Sequence, residues 1–150
     1  MSTKAELYEQ DFYLWCLDIC ATLGAREFEA LDVPHLIEEI RALAGRDSRE
    51  LASRLETLVL HLLKWGYQPS ERSGSWRGTI RRERREIARF LEQSPSLQRF
   101  VPDTITTDYP SAREDASDET GLPIATFPET CPWTPKEILE DAFWPQALDA

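Results

Sequence analysis

The apolar positions of this chain recur mainly at spacings of three and four, the period of a helix that buries one face. Tyr8, Phe12, Trp15, Cys16, Ile19, Cys20 and Leu23 keep that period, which predicts a first helix from about Thr3 to Leu23, ended by Gly24. Leu14 and Leu17 lie off the stripe, so this helix is expected to meet neighbours on two sides, or a second subunit. "LDVPHLIEEIRALAG" predicts a second helix with Asp32 as cap, Pro34 in its first turn, and Leu36, Ile37, Ile40 and Leu43 on one face. A third helix is expected to start at a cap on Asp47 or Ser48 and to run to about Tyr67. Its stripe is Leu51, Leu55, Leu58, Val59, Leu62 and Trp65, and its second half is apolar nearly all round, as in a central helix. His61 and Lys64 share a side of that half and need polar partners if buried.

The turn "QPSERSGSW" leads to a fourth helix, expected from about Trp76 to Glu92 with Ser73 or Ser75 as cap. Trp76, Ile80, Ile87, Phe90 and Leu91 share its apolar sector, Arg81, Arg82, Arg85 and Arg89 lie mainly opposite, and Glu83 and Arg84 fall within or beside the apolar side. Eight of the ten prolines come after Ser94, and the texture changes there. Short helices are expected from Pro95, around Ser111 to Glu119, and after Thr134, where Pro135 and Glu137 complete a capping box. The segment is expected to wrap the helices and bury Tyr109, Phe127, Trp133, Phe143 and Trp144. The pattern therefore predicts an all-α fold: a compact bundle of about four main helices plus an extended, proline-rich C-terminal segment. It reads as one domain over residues 1–150, with a core in 1–93 and a wrapping part in 94–150.

Composition supports a self-sufficient core, since 150 residues with 41% hydrophobic content need neither disulfides nor a structural metal. Cys16, Cys20 and Cys131 cannot pair completely, which points to a reducing cytoplasm. No apolar run reaches signal or membrane-spanning length, so neither secretion nor a membrane partner is expected. The net charge of −10 opposes general phosphate binding. That charge is uneven: Arg72 to Arg89 holds seven arginines and two glutamates, whereas from Asp103 onward eleven acids face only Arg113 and Lys136. The basic stretch is expected to face the acidic tail.

Candidate chemistry is sparse. Cys16 and Cys20 with His35, His61 and the Glu38/Glu39 pair lack any zinc-ligand spacing, and two cysteines on an apolar stripe are more often small core residues, so neither metal nor cofactor is expected. No phosphate loop of the GxGxxG or GxxxxGK[ST] type is present. Trp76, Arg77, Arg81, Arg82, Arg85 and Arg89 form a candidate binding surface that could grip phosphates and stack a base, or meet a protein partner through arginine. A charge run of this kind is more often a solvated helix face.

"YEQDFYLWCLDICATL", "HLIEEIRAL", "LVLHLLKWGYQP", "SWRGTIRRERREI" and "FPETCPWTPKEIL", in this order, resemble the domain of unknown function family 29 of cyanobacteria and proteobacteria. The resemblance covers about Tyr8 to Pro145 and implies a compact, all-helical bacterial domain with no established activity, substrate or cofactor. Several family-like polar positions fall beside apolar faces, so Glu38 or Glu39, His61, Lys64 and Arg84 are expected to converge where the second, third and fourth helices meet. Such a cluster can serve structural specificity or a small enzyme's acid-base chemistry. The reading taken forward is a non-enzymatic cytoplasmic protein-interaction or regulatory domain, self-association through the first helix included. Nucleic-acid binding by the arginine helix and an enzyme built on the polar cluster are the alternatives.

Overall fold

The computed structural model describes residues 3–146, which contain helices, turns and no strand. The chain forms two compact units that divide at Arg46 and Asp47, not the core-plus-wrap division at residue 93.

In the first unit, α1 (Lys4–Gln10) and α2 (Phe12–Gly24) replace the single helix expected there. Asp11 makes the break. It ends α1 with its backbone N–H and caps α2 with its carboxylate, which accepts from the Leu14 amide at 3.1 Å. Short polar side chains that compete for backbone groups favour such junctions over a helix interior. A 3₁₀ turn at Phe28–Ala30 follows, and Val33 begins α3 (Val33–Tyr67). Lys4 ties α1 to α2 through Asp18 at 3.1 Å and the Thr22 hydroxyl at 2.9 Å.

The second correction is α3 itself, one helix of 35 residues where two were expected. Asp47 and Ser48 are interior positions, not caps. Gly45 costs about 1 kcal/mol in a helix interior, but the surrounding alanines, arginines and glutamates are good helix formers and no proline interrupts them. Local propensity and neighbouring turns together outweigh one glycine and two cap-type residues.

In the second unit, the rest of α3 is joined by α4 (Gly74–Gln93), α5 (Val101–Thr120) and α6 (Pro135–Leu139), with 3₁₀ turns at Pro69–Glu71, Pro95–Phe100 and Ile124–Thr126. Ser73 caps α4 through the Trp76 amide, and Thr134 and Glu137 form the expected capping box on α6. Ser94 makes no side-chain cap for the turn at Pro95. The core contains Leu55, Leu58, Leu62, Leu63, Ile80, Ile87, Val101, Phe127 and Ile138, all shut from solvent. Within the proline-rich C-terminal part, α5 is a core helix of 20 residues that keeps Pro110 in its interior and ends on Gly121 at φ 72°. Pro102 fits its first turn, where a missing N–H costs nothing. Pro110 lies on the exposed side, and its neighbours Tyr109 and Ala112 are buried, so packing carries the helix past a proline.

Candidate functional site

The expected polar cluster divides. Glu38 and Glu39 belong to the first unit, whereas His61, Lys64 and Arg84 belong to the second. Glu39, His61, Lys64 and Arg84 each have a partner within their own unit. Lys64, buried on α3, pairs with Glu119 of α5 at 3.1 Å and lies over the Trp76 ring at 4.7 Å. His61 donates its Nδ1 hydrogen to the Thr57 carbonyl one turn earlier, at 2.8 Å. Burial pushes the His61 imidazole below its ordinary value, against the upward pull of that bond. Glu39 accepts from the Tyr8 hydroxyl, and that bond together with burial pushes Tyr8 up to about 12.

Arg84 is the most buried charged side chain of the second unit, 2% exposed, as its place on the apolar side of the helix foretold. Its guanidinium donates to three carbonyls at the end of α6 and beyond: Ile138 at 2.9 Å, and Glu137 and Asp141 at 3.5 Å. An arginine at a helix C-terminus satisfies carbonyls that have no partner within the helix. Burial pulls its affinity for the proton down, offset in part by Asp141 and Glu140. Glu83 beside it is buried too, paired with Arg54 at 3.1 Å.

The α4 arginines meet the C-terminal segment mainly at Trp144, with no salt bridge to its carboxylates among the described residues. Arg77, Arg81 and Arg84 lie 5.6 to 5.9 Å from the Trp144 ring, a cation–π arrangement that fixes the segment's aromatic end. Arg72 spans the same region, donating to the carbonyls of Trp65 and Pro145. Arg77, Arg81, Arg82, Arg85 and Arg89 are exposed, as expected of a solvated face, and Trp76 is half-buried under Lys64. Between α4 and the end of α6 lies an open groove of about 630 Å³, lined by Arg81, Arg84, Arg85, Arg89, Glu92 and Asp141 among others.

The first unit has a different character. Asp32 accepts from Trp15 Nε1 at 3.0 Å and from His35 Nδ1 at 2.7 Å, and the His35 ring stacks on Tyr8 with centroids 3.9 Å apart. Burial pushes the Asp32 carboxyl up, but these two donors outweigh it and hold the group below its ordinary value. Reading Asp32 only as a cap missed this network. The signal was present in Trp15, Asp32 and His35, all polar-capable groups on inward positions.

Outside this network the unit leaves much of its apolar surface exposed. Ten of the twelve exposed large hydrophobic residues among the described residues belong to it, and two, Phe100 and Ile124, to the second unit. Leu14 and Leu17 are each 49% exposed and Tyr13 71%. The face expected to be buried on the second predicted helix is open instead, with Ile37, Ile40 and Leu43 all exposed. Cys20 is exposed and Cys16 half-buried, so the pair is not core filling. Half-buried Cys131 has its thiol pushed up by burial, away from the reactive thiolate.

Among the described residues no three His, Cys, Asp or Glu side chains group as metal ligands, and no helix is long and apolar enough to cross a membrane. No curated protein and no solved structure matches the chain. A family model matches residues 7–144, covering both units, the buried Arg84 and the tryptophan-bearing C-terminal segment, and the chain therefore belongs to the family described as Domain of unknown function DUF29.

Proposed function

We propose that this is a non-enzymatic association domain of the cytoplasm, and that the apolar surface of its first unit takes a second copy of the chain. The observation that carries the reading is the concentration of exposed large hydrophobics in residues 3–46, a unit that buries only Trp15, Ile19 and Thr22. A segment of this size cannot bury enough surface to stand on its own core. Three free cysteines agree with a reducing compartment.

Two features favour a second copy as the occupant. Ten large hydrophobic residues of the unit are exposed, a supply of apolar surface suited to a standard interface, which takes about 800 Å² from each partner. That surface is also arranged in two stripes of equal length, Tyr13 to Leu23 on α2 and Val33 to Leu43 on α3. The α2 stripe of one copy matches the α3 stripe of the other, and the same match repeats by symmetry, as an isologous dimer requires. Nine acidic against four basic residues make the unit repel its twin at low salt, so association should tighten as salt screens that charge.

Sedimentation equilibrium tests this directly. The wild-type chain should be a dimer that strengthens from low to physiological ionic strength. Leu17→Asp combined with Ile40→Asp should give a monomer of unchanged helicity. A monomeric wild type, or a dimer indifferent to both substitutions, rejects the surface.

A further inference from the structure

The groove between α4 and α6 belongs to the second unit, and its chemistry is unusual for a chain of net charge −10. Four arginines line it against two carboxylates, Glu92 and Asp141. Arg81, Arg85 and Arg89 rise along α4 at four-residue steps, which places them one above another on one side of the helix. Arg89 reaches Glu86 at 3.3 Å, but Arg81 and Arg85 have no carboxylate within 4 Å among the described residues. Arg84 forms the buried part of the wall. Its three bonds to carbonyls use three of the five N–H groups of a guanidinium, and no carboxylate among the described residues lies within 4 Å of its charge. A buried cation whose hydrogen bonds go to carbonyls, next to Arg81 and Arg85 with no ion-pair partner among the described residues, leaves four guanidiniums against two carboxylates in the groove and a net positive potential there.

We infer that this groove is a binding site for a small phosphorylated ligand that also carries hydroxyl or ammonium groups. Several converging guanidinium forks suit the oxygens of a phosphate dianion better than a lone carboxylate, which one arginine can satisfy. Glu92 and Asp141 repel a bare anion, but each can accept from a hydroxyl or ammonium on the same ligand. No aromatic ring lines the groove, so a nucleobase finds no stacking platform there. The volume falls within the ordinary range of small-molecule sites.

Calorimetric titration with glycerol phosphate and with inorganic phosphate at constant ionic strength tests the assignment. The wild-type chain should show saturable, one-to-one binding of glycerol phosphate, tighter than that of inorganic phosphate. Arg81→Gln and Arg85→Gln are exposed changes that should leave the fold intact and weaken binding about tenfold each, while Arg82→Gln, on the same helix but outside the groove, should not change it. Glu92→Gln should narrow the gap between the two probes. Absence of saturable heat with both probes at millimolar concentration overturns the site. So does an Arg82→Gln loss as large as that of Arg85→Gln, which would mean that only overall charge is read. Steeply salt-dependent binding of a single-stranded oligonucleotide, without glycerol phosphate binding, would overturn it in favour of nucleic acid.

Discussion

Both units are built from helices, yet they dispose of their apolar residues in opposite ways. In the second unit, stripes from α3, α4 and α5 meet and leave Leu58, Leu62, Ile80 and Ile87 with no solvent exposure. In the first, a polar and aromatic network of Tyr8, Trp15, Asp32, His35 and Glu39 occupies the inner side, and the aliphatic residues point outward. Helical period alone says that a stripe has a side. It does not say whether that side finds its cover within the chain or in another molecule.

The largest test of this contrast is truncation on each side of it. Leu58→Ala should cost about 3 to 4 kcal/mol in urea denaturation, because it opens a cavity in a closed core. Ile40→Ala, measured at concentrations where the chain is monomeric, should change stability by less than about 0.5 kcal/mol. A large loss at Ile40 would mean that its stripe is already covered in the monomer, and the contrast would fail.

A finer test uses the two capping boxes, Thr3 with Glu6 in the first unit and Thr134 with Glu137 in the second. Thr134→Ala should lower global stability by about 1 kcal/mol, because α6 is locked to α4 through Arg84. Thr3→Ala should fray α1, seen as faster amide exchange there, and leave the urea midpoint nearly unchanged.

The smallest effects are in pH. His61 has its affinity for protons lowered by folding, so the unfolded chain takes up the proton first. The stability linked to it is complete above the ordinary value of 6.5 and is lost as pH falls through and below it. Asp32 follows the same sign in a lower window, keeping its contribution above 3.8 and losing it as pH falls further. His61→Gln should flatten the stability profile between about pH 7 and 5. Asp32→Asn should leave that window alone and flatten only the acid limb, and equal effects of the two variants in both windows would refute the assignment.

Much of the second unit could be read from the residues. Ser73, Thr134 and Glu137 announce their caps through short-range chemistry, and Glu83 and Arg84 announce burial through helical phase. Three features could not be read in this way. Asp47 and Ser48 have the chemistry of caps but sit inside α3, since a cap residue permits a helix start and does not compel one. Pro110 suggested an irregular tail, while the burial of Tyr109 and Ala112 holds α5 together around it. The partners of Lys64 and Arg84 lie 55 and 54 residues away in the chain, a pairing that local pattern does not encode.

The long separation between Arg84 and its carbonyl acceptors also sets an order of events during synthesis. A ribosome makes α1, α2 and the start of α3 first, so the first unit and its apolar stripes are complete while the acceptors of Arg84 have not yet been translated. The dimerisation proposed above could therefore begin between two nascent chains on one messenger RNA, before either has closed its second unit. Dimerisation at that stage would shelter the exposed aliphatic side chains from chaperones and from each other's unfinished cores. The same geometry makes a chain halted before α6 recognisable, because its Arg84 still faces water where a finished molecule has buried it.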